Sequence, residues 1–109
     1  MPRLLTESQI RRELEKLDGW KLERKFLAKT FSFGTFMEGL DFVRAVALVA
    51  ESQEHHPDIG IRYTQVKLSV QTHSEGGITA WDVELALAID RLRTGRREKR
   101  SRKAPAVVP

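Results

Sequence analysis

The sequence predicts an α+β fold of order α-β-β-α-β-β-α, a four-stranded antiparallel sheet with its helices packed on one face. Three observations predict it. Thr6-Glu7-Ser8-Gln9 and Thr79-Ala80-Trp81-Asp82 are capping boxes that open helical patterns near the two ends of the chain. A long apolar segment at helical spacing, residues 36–50, lies between them. On each side of that segment stand two short runs of strand character, close enough to pair as hairpins and so to build an antiparallel sheet.

Helix 1 starts at the Thr6 cap and carries Ile10, Leu14 and Leu17 as an apolar stripe against Arg11, Arg12, Glu15 and Lys16. Asp18-Gly19 ends it, glycine suiting a left-handed cap. Trp20 to Glu23 alternates as a strand, and Phe26 to Phe33 forms the next, with Leu27, Phe31 and Phe33 on one side. Gly34-Thr35 opens helix 2, which runs to about Gln53. One stripe holds Phe36, Leu40, Val43, Ala47 and Ala50; a second holds Phe42, Val46 and Val49. A helix apolar over so much of its girth needs two partners. The sheet is one; the other is a second subunit or, alternatively, helix 1 or helix 3.

Ile59 to Arg62 and Gln65 to Thr72 form the second hairpin, turning at Tyr63-Thr64. Val66, Leu68 and Val70 point one way while Lys67, Ser69 and Gln71 point the other, so this strand is half buried. Ser74-Glu75-Gly76-Gly77 is a turn. Helix 3 then carries Trp81, Leu85, Ala88 and Leu92 as its stripe and ends at Gly95.

At 109 residues, 40% hydrophobic and 31% charged, the chain fits one globular domain, assigned to residues 1–94. No apolar run approaches the roughly 20 residues that span a bilayer, so no membrane partner is expected. The N-terminus lacks a signal-peptide pattern and there is no cysteine, so cytoplasmic residence is the expectation. The net charge of +4 belongs to the tail. Residues 95–109 hold six cationic side chains against Glu98, a net +5 that leaves −1 for residues 1–94. A basic body would suggest nucleic acid; a basic, disordered tail gives at most weak, salt-sensitive contact.

All three histidines fall in one spaced pattern, Glu51-x3-His55-His56-Pro57, then Tyr63, His73 and Asp82. Imidazole exchanges protons near neutral pH, and carboxylates beside it can fix its tautomer, so proton transfer is the chemistry to expect. A zinc site is disfavoured: adjacent side chains in extended chain point apart, and the spacing is not H-E-x-x-H. No metal is expected.

The pattern, with Trp20 after Gly19, Gly76-Gly77, Thr79 and Glu84, resembles the pterin-4a-carbinolamine dehydratases, also known as dimerization cofactors of a homeodomain transcription factor. The resemblance covers roughly residues 6–92. It implies a dehydratase acting on 4a-hydroxytetrahydropterin, without metal or bound cofactor. It also implies a homodimer or homotetramer with the long second helices at its centre. It makes His55 and His73 the acid and base, in an order it leaves open, with His56 lining the pocket. Glu51 or Glu54 orients a histidine, and Trp20 lines the flat pterin. Asp82 serves the site, its helix cap, or both. Pro57 stiffens the loop and stops helix 2. Local readings stay open beside these: Glu51 as a solvated helix residue, Trp20 as core, Tyr63 as a turn residue. One departure stands out. Where many family members carry Arg or Lys before the helix 3 aspartate, this chain has Trp81. A binding module of the same fold, without catalysis, is the rival reading.

Overall fold

The computed structural model describes residues 2–103, with side chains described through residue 92. Its order is α1 (Glu7–Leu14), β1 (Lys21–Glu23), β2 (Phe26–Ser32), α2 (Phe36–Gln53), β3 (Asp58–Arg62), β4 (Gln65–Val70), a 3-10 turn (His73–Glu75) and α3 (Ala80–Lys103). The four strands form one antiparallel sheet, as expected, and their order in it is β1-β2-β4-β3.

The predicted capping box holds α1: Thr6 Oγ1 accepts from Gln9 N, and Gln9 Oε1 accepts from Thr6 N. The helix stops at Leu14, earlier than the stripe suggested. Tighter bonds, Lys16 N to Glu13 O and Leu17 N to Leu14 O, carry the chain round so that Leu17 is still buried. Gly19 follows at φ +85, the left-handed conformation expected of it. Thr35 caps α2 through Glu38 N, and Glu38 Oε1 accepts from Gly34 N.

One face of the sheet carries the core. Leu27 and Phe31 of β2 and Val66, Leu68 and Val70 of β4 point to the helices. Phe42, Val46 and Ala50 of α2 and Leu85, Ala86 and Ile89 of α3 meet them. Phe42 is the hub, its ring 4.7 Å from Phe31 and 5.1 Å from Phe33. The opposite face is polar, with Lys67 paired to Glu23 at 2.9 Å.

Three details depart from the sequence reading. First, the buried stripe of α2 is Gly39, Phe42, Val46 and Ala50, while Phe36, Met37 and Leu48 stay exposed within the chain. The stripe of Phe42, Val46 and Val49 thus faces the core, while Phe36 and Ala47 of the other stripe stay exposed within the chain. Secondly, Leu85, Ala88 and Leu92 of the expected α3 stripe do meet the core, joined by Asp82, Ala86 and Ile89, but Trp81 is turned outward. At 100° per residue a shift of one position moves the buried face, and the pull of Asp82 inward sets it. Thirdly, α3 continues past Gly95 to Lys103. One glycine costs a helix interior only about 1 kcal/mol, and the lysines and arginines around it are good helix formers. Of the tail expected to be disordered, residues 104–109 lie outside the described residues. Among the described residues no helix is long and apolar enough to cross a membrane.

Candidate active site

The site lies where the C-terminus of α2 faces the N-terminus of α3. Helix α2 ends on Glu54, which adopts a left-handed conformation at φ +53. Glu54 N reaches Ala50 O and Glu51 O, and His55 N returns to Ala50 O at 3.1 Å. This is the helix-closing motif that usually takes glycine at its left-handed position. A glutamate there costs roughly 1 kcal/mol. The reversal aims His55 at α3.

His55 Nε2 lies 2.6 Å from Asp82 Oδ1. Asp82 is fully buried, and its second oxygen accepts from Thr72 Oγ1 and from Thr79 N, each at 2.8 Å. The Thr79 N contact is half of the predicted capping box. Thr79 Oγ1 completes the cap on Trp81 N at 3.2 Å and lies 2.7 Å from Thr72 Oγ1. A carboxylate at a helix N-terminus is also favoured by the exposed amides and the helix dipole. As a carboxylate Asp82 can only accept, so His55 Nε2 carries a proton toward it. Among the described residues nothing bonds His55 Nδ1.

A cleft of about 330 Å³ opens beside this pair, lined by Gln53, Glu54, His55, Trp81 and Glu84. The His55 and Trp81 rings meet edge to face at 6.0 Å. That volume is at the low end of small-ligand sites, which run from roughly 300 Å³ upward. Two carboxylates and an aromatic wall suit a flat heterocycle that offers N–H donors.

The other expected residues are spread more widely. His56 turns away from His55 and pairs with Glu51 at 2.7 Å on the surface. Glu51 therefore serves His56, while Asp82 holds His55; Glu54 pairs with neither and lines the cleft. Adjacent extended residues do point apart here. Pro57 is half-buried directly before β3. His73 stands exposed in the 3-10 turn, its ring 6.2 Å from Phe26, and does not line the cleft within one chain. Trp20 does not offer a face to a ligand. It is 5% exposed, donates from Nε1 to Asp90 at 3.1 Å, and packs edge-on against Phe31. Lys29 joins the same Asp90 at 3.0 Å, so Trp20 belongs to a structural polar knot under the sheet. Tyr63 is a turn residue at φ +52 and is exposed. No group of three or more metal-ligating side chains is gathered among the described residues.

The sequence reading missed Thr72 and gave Thr79 only a capping role. A signal for Thr72 was present. The inward alternation of Val66, Leu68 and Val70 continues to position 72, and a buried hydroxyl needs a partner.

A family model described as pterin 4 alpha carbinolamine dehydratase matches residues 3–92. The chain belongs to this family. A Sulfurisphaera tokodaii protein, whose name places it provisionally among the pterin-4-alpha-carbinolamine dehydratases, is 48% identical over 90 residues, covering 83% of this chain and 97% of its own. A similarly named Mycobacterium avium protein is 47% identical over 87 residues, 80% of this chain and 93% of its own. Among solved structures, the transcriptional coactivator/pterin dehydratase from Brucella melitensis superposes with a TM-score of 0.80 at 33% identity, covering 83% of this chain and 98% of that one. A pterin dehydratase-like RuBisCO assembly factor of the alpha-carboxysome shares the fold at a TM-score of 0.55 and 24% identity, covering 67% of this chain and 84% of that one. The Brucella melitensis relative thus shares the α+β frame of this chain.

Proposed function

We propose that this chain dehydrates 4a-hydroxytetrahydropterin to quinonoid dihydropterin by histidine general acid/base catalysis. One observation carries the reading: in a chain of this family, an imidazole held by a buried carboxylate opens onto a cleft of about 330 Å³. In the reaction the C4a–O bond breaks and the lone pair of the neighbouring ring nitrogen forms a C=N bond. A proton joins the departing hydroxyl to make water, and one leaves the nitrogen side. Two proton transfers are all the chemistry required, and positioned imidazoles typically contribute about 10²–10⁴-fold to such steps. His55 and His73 are the proposed acid/base pair, while His56, expected to line the pocket, pairs with Glu51 on the surface instead. Asp82 orients His55, Glu51 orients His56, and Glu54 meets the donor edge of the pterin. Trp81 in place of a basic residue gives the cleft an aromatic wall. The cell would use this activity to regenerate the pterin consumed by aromatic amino acid hydroxylation, in the cytoplasm.

The exposed apolar residues of α2, Phe36, Met37 and Leu48, support self-association as a homodimer or homotetramer. Self-association is also the route by which the His73 turn of one copy could approach the cleft of another. The Brucella melitensis relative is described as both coactivator and dehydratase, which favours a second reading, a protein-binding module. A carbinolamine dehydration assay separates the two. Wild type should exceed the uncatalysed rate, with losses of about 10²-fold or more in His55→Ala and His73→Ala. A wild-type rate equal to background would favour the binding module. Equal rates in wild type and both variants would remove the histidine roles.

A further inference from the structure

Thr72 ends the inward alternation of β4 and directly precedes His73. It occupies the N-cap of the 3-10 turn, where a threonine hydroxyl ordinarily caps free amides. Here Oγ1 makes no such bond. The turn's amides, Glu75 N and Gly76 N, go to the Thr72 carbonyl oxygen at 3.0 and 2.9 Å instead. The hydroxyl is 2.8 Å from Asp82 Oδ2 and 2.7 Å from Thr79 Oγ1, in a residue 2% exposed. A local structural task is left to the backbone, and the side chain is committed to the site.

The direction of every hydrogen bond follows from counting protons. Each hydroxyl has one, a backbone amide only donates, and a carboxylate only accepts. Because Asp82 Oδ2 can only accept, Thr72 Oγ1 must receive the Thr79 proton, and Thr79 Oγ1 accepts from Trp81 N. The Thr72 proton then goes to Asp82 Oδ2. Asp82 Oδ1 is left to accept from His55 Nε2. The chain runs one way because it ends on a carboxylate, which can only accept, and its members strengthen one another.

Resting on the dehydratase reading above, we infer that Thr72 is a positioning residue. It locks the Asp82 carboxylate and with it the neutral His55 ring as the Nε2–H tautomer, so that Nδ1 is bare. In its neutral form His55 thus offers Nδ1 as the base, to accept the proton lost from the ring-nitrogen side, and the hydroxyl's proton then comes from another group. Because Thr72 also carries His73 as its next residue, one side chain ties the His73 turn to the His55–Asp82 pair.

The test is long-range 1H–15N NMR of the full chain labelled at histidine, recorded where the His55 ring is neutral, alongside dehydration kinetics. Wild type should show a single Nε2–H tautomer for His55. Thr72→Val, which keeps the shape and removes the donor, should show a tautomer mixture. It should also lose about tenfold in kcat with KM little changed and an altered pH–rate profile. Thr72→Ser restores the donor and should recover the single tautomer and most of the rate. An Nδ1–H tautomer in wild type overturns the inference without any variant. So does a folded Thr72→Val that keeps a pure Nε2–H ring. A wild type with the predicted tautomer and no dehydratase activity would leave the positioning intact and remove the function it serves.

Discussion

Two histidine–carboxylate pairs stand next to each other in the chain at almost one distance. His55 meets Asp82 at 2.6 Å and His56 meets Glu51 at 2.7 Å. Their surroundings are opposite. The first pair is 13% and 0% exposed at its side chains, the second 60% and 74%. Asp82 has two further donors, Thr72 and Thr79, on its other oxygen, whereas the Glu51 pair stands in solvent. The contrast teaches that separation alone assigns no role. Water competes for both members of an exposed pair and salt screens it. In the buried pair each proton has one place to go, and losing a partner leaves a polar group stranded.

Removing the buried acceptor should break the comparison most sharply. Asp82→Asn keeps the shape but gives the side chain an amide that can donate, so the His55 tautomer is no longer dictated. By analogy with an aspartate-oriented catalytic histidine, dehydration should fall by as much as ~10⁴-fold. Asp82→Ala should also cost about 3 kcal/mol or more in urea unfolding, the penalty of breaking a buried pair.

Glu54→Gly tests the hinge that separates the two pairs. Glycine relieves the left-handed backbone and should stabilise the fold by ~0.5–1 kcal/mol in thermal melts. Loss of the cleft carboxylate should at the same time raise KM for the pterin. A rise in stability without any kinetic loss would make Glu54 a helix end and nothing more.

Glu51→Gln should act on the exposed pair within about 0.2–1 kcal/mol, and less at high salt. A kinetic loss as large as that of Asp82→Asn would erase the distinction between the two pairs.

The smallest effect belongs to a third pair, also on the surface. The hydrogen bond and charge of Lys67 hold the Glu23 carboxyl below its usual range. A lowered carboxyl stabilises the fold above its unfolded value and loses that contribution as pH falls through the lowered one. Glu23→Gln should therefore differ from wild type, if measurably, only on the neutral side. The melting curves should converge in acid, and the difference at neutral pH should vanish in salt.

Much of the frame was legible because it follows from local rules. The Thr6–Gln9 box, the Thr35 opening of α2 and the alternation of Val66, Leu68 and Val70 appear where periodicity put them. The Thr79–Asp82 box appears too, but the aspartate it names does more than cap, since one oxygen serves the cap and the other His55. The pairing of glutamates was not legible. Glu51 and Glu54 lie three residues apart, and only the left-handed turn at Glu54 sends His55 to α3 and leaves His56 for Glu51. Trp20 shows the same limit from the other side. Its position after Gly19 was visible, but its partner Asp90 is 70 residues away, and that bond takes the ring into the core.

By itself the sequence determined the helices, the strands, the family and the titratable residue types, because short-range spacing and side-chain chemistry suffice for those. Tertiary structure alone decided which carboxylate meets which imidazole. That choice depends on how two helix ends separated by a hairpin are brought together, and on which of the meeting groups water is kept away from.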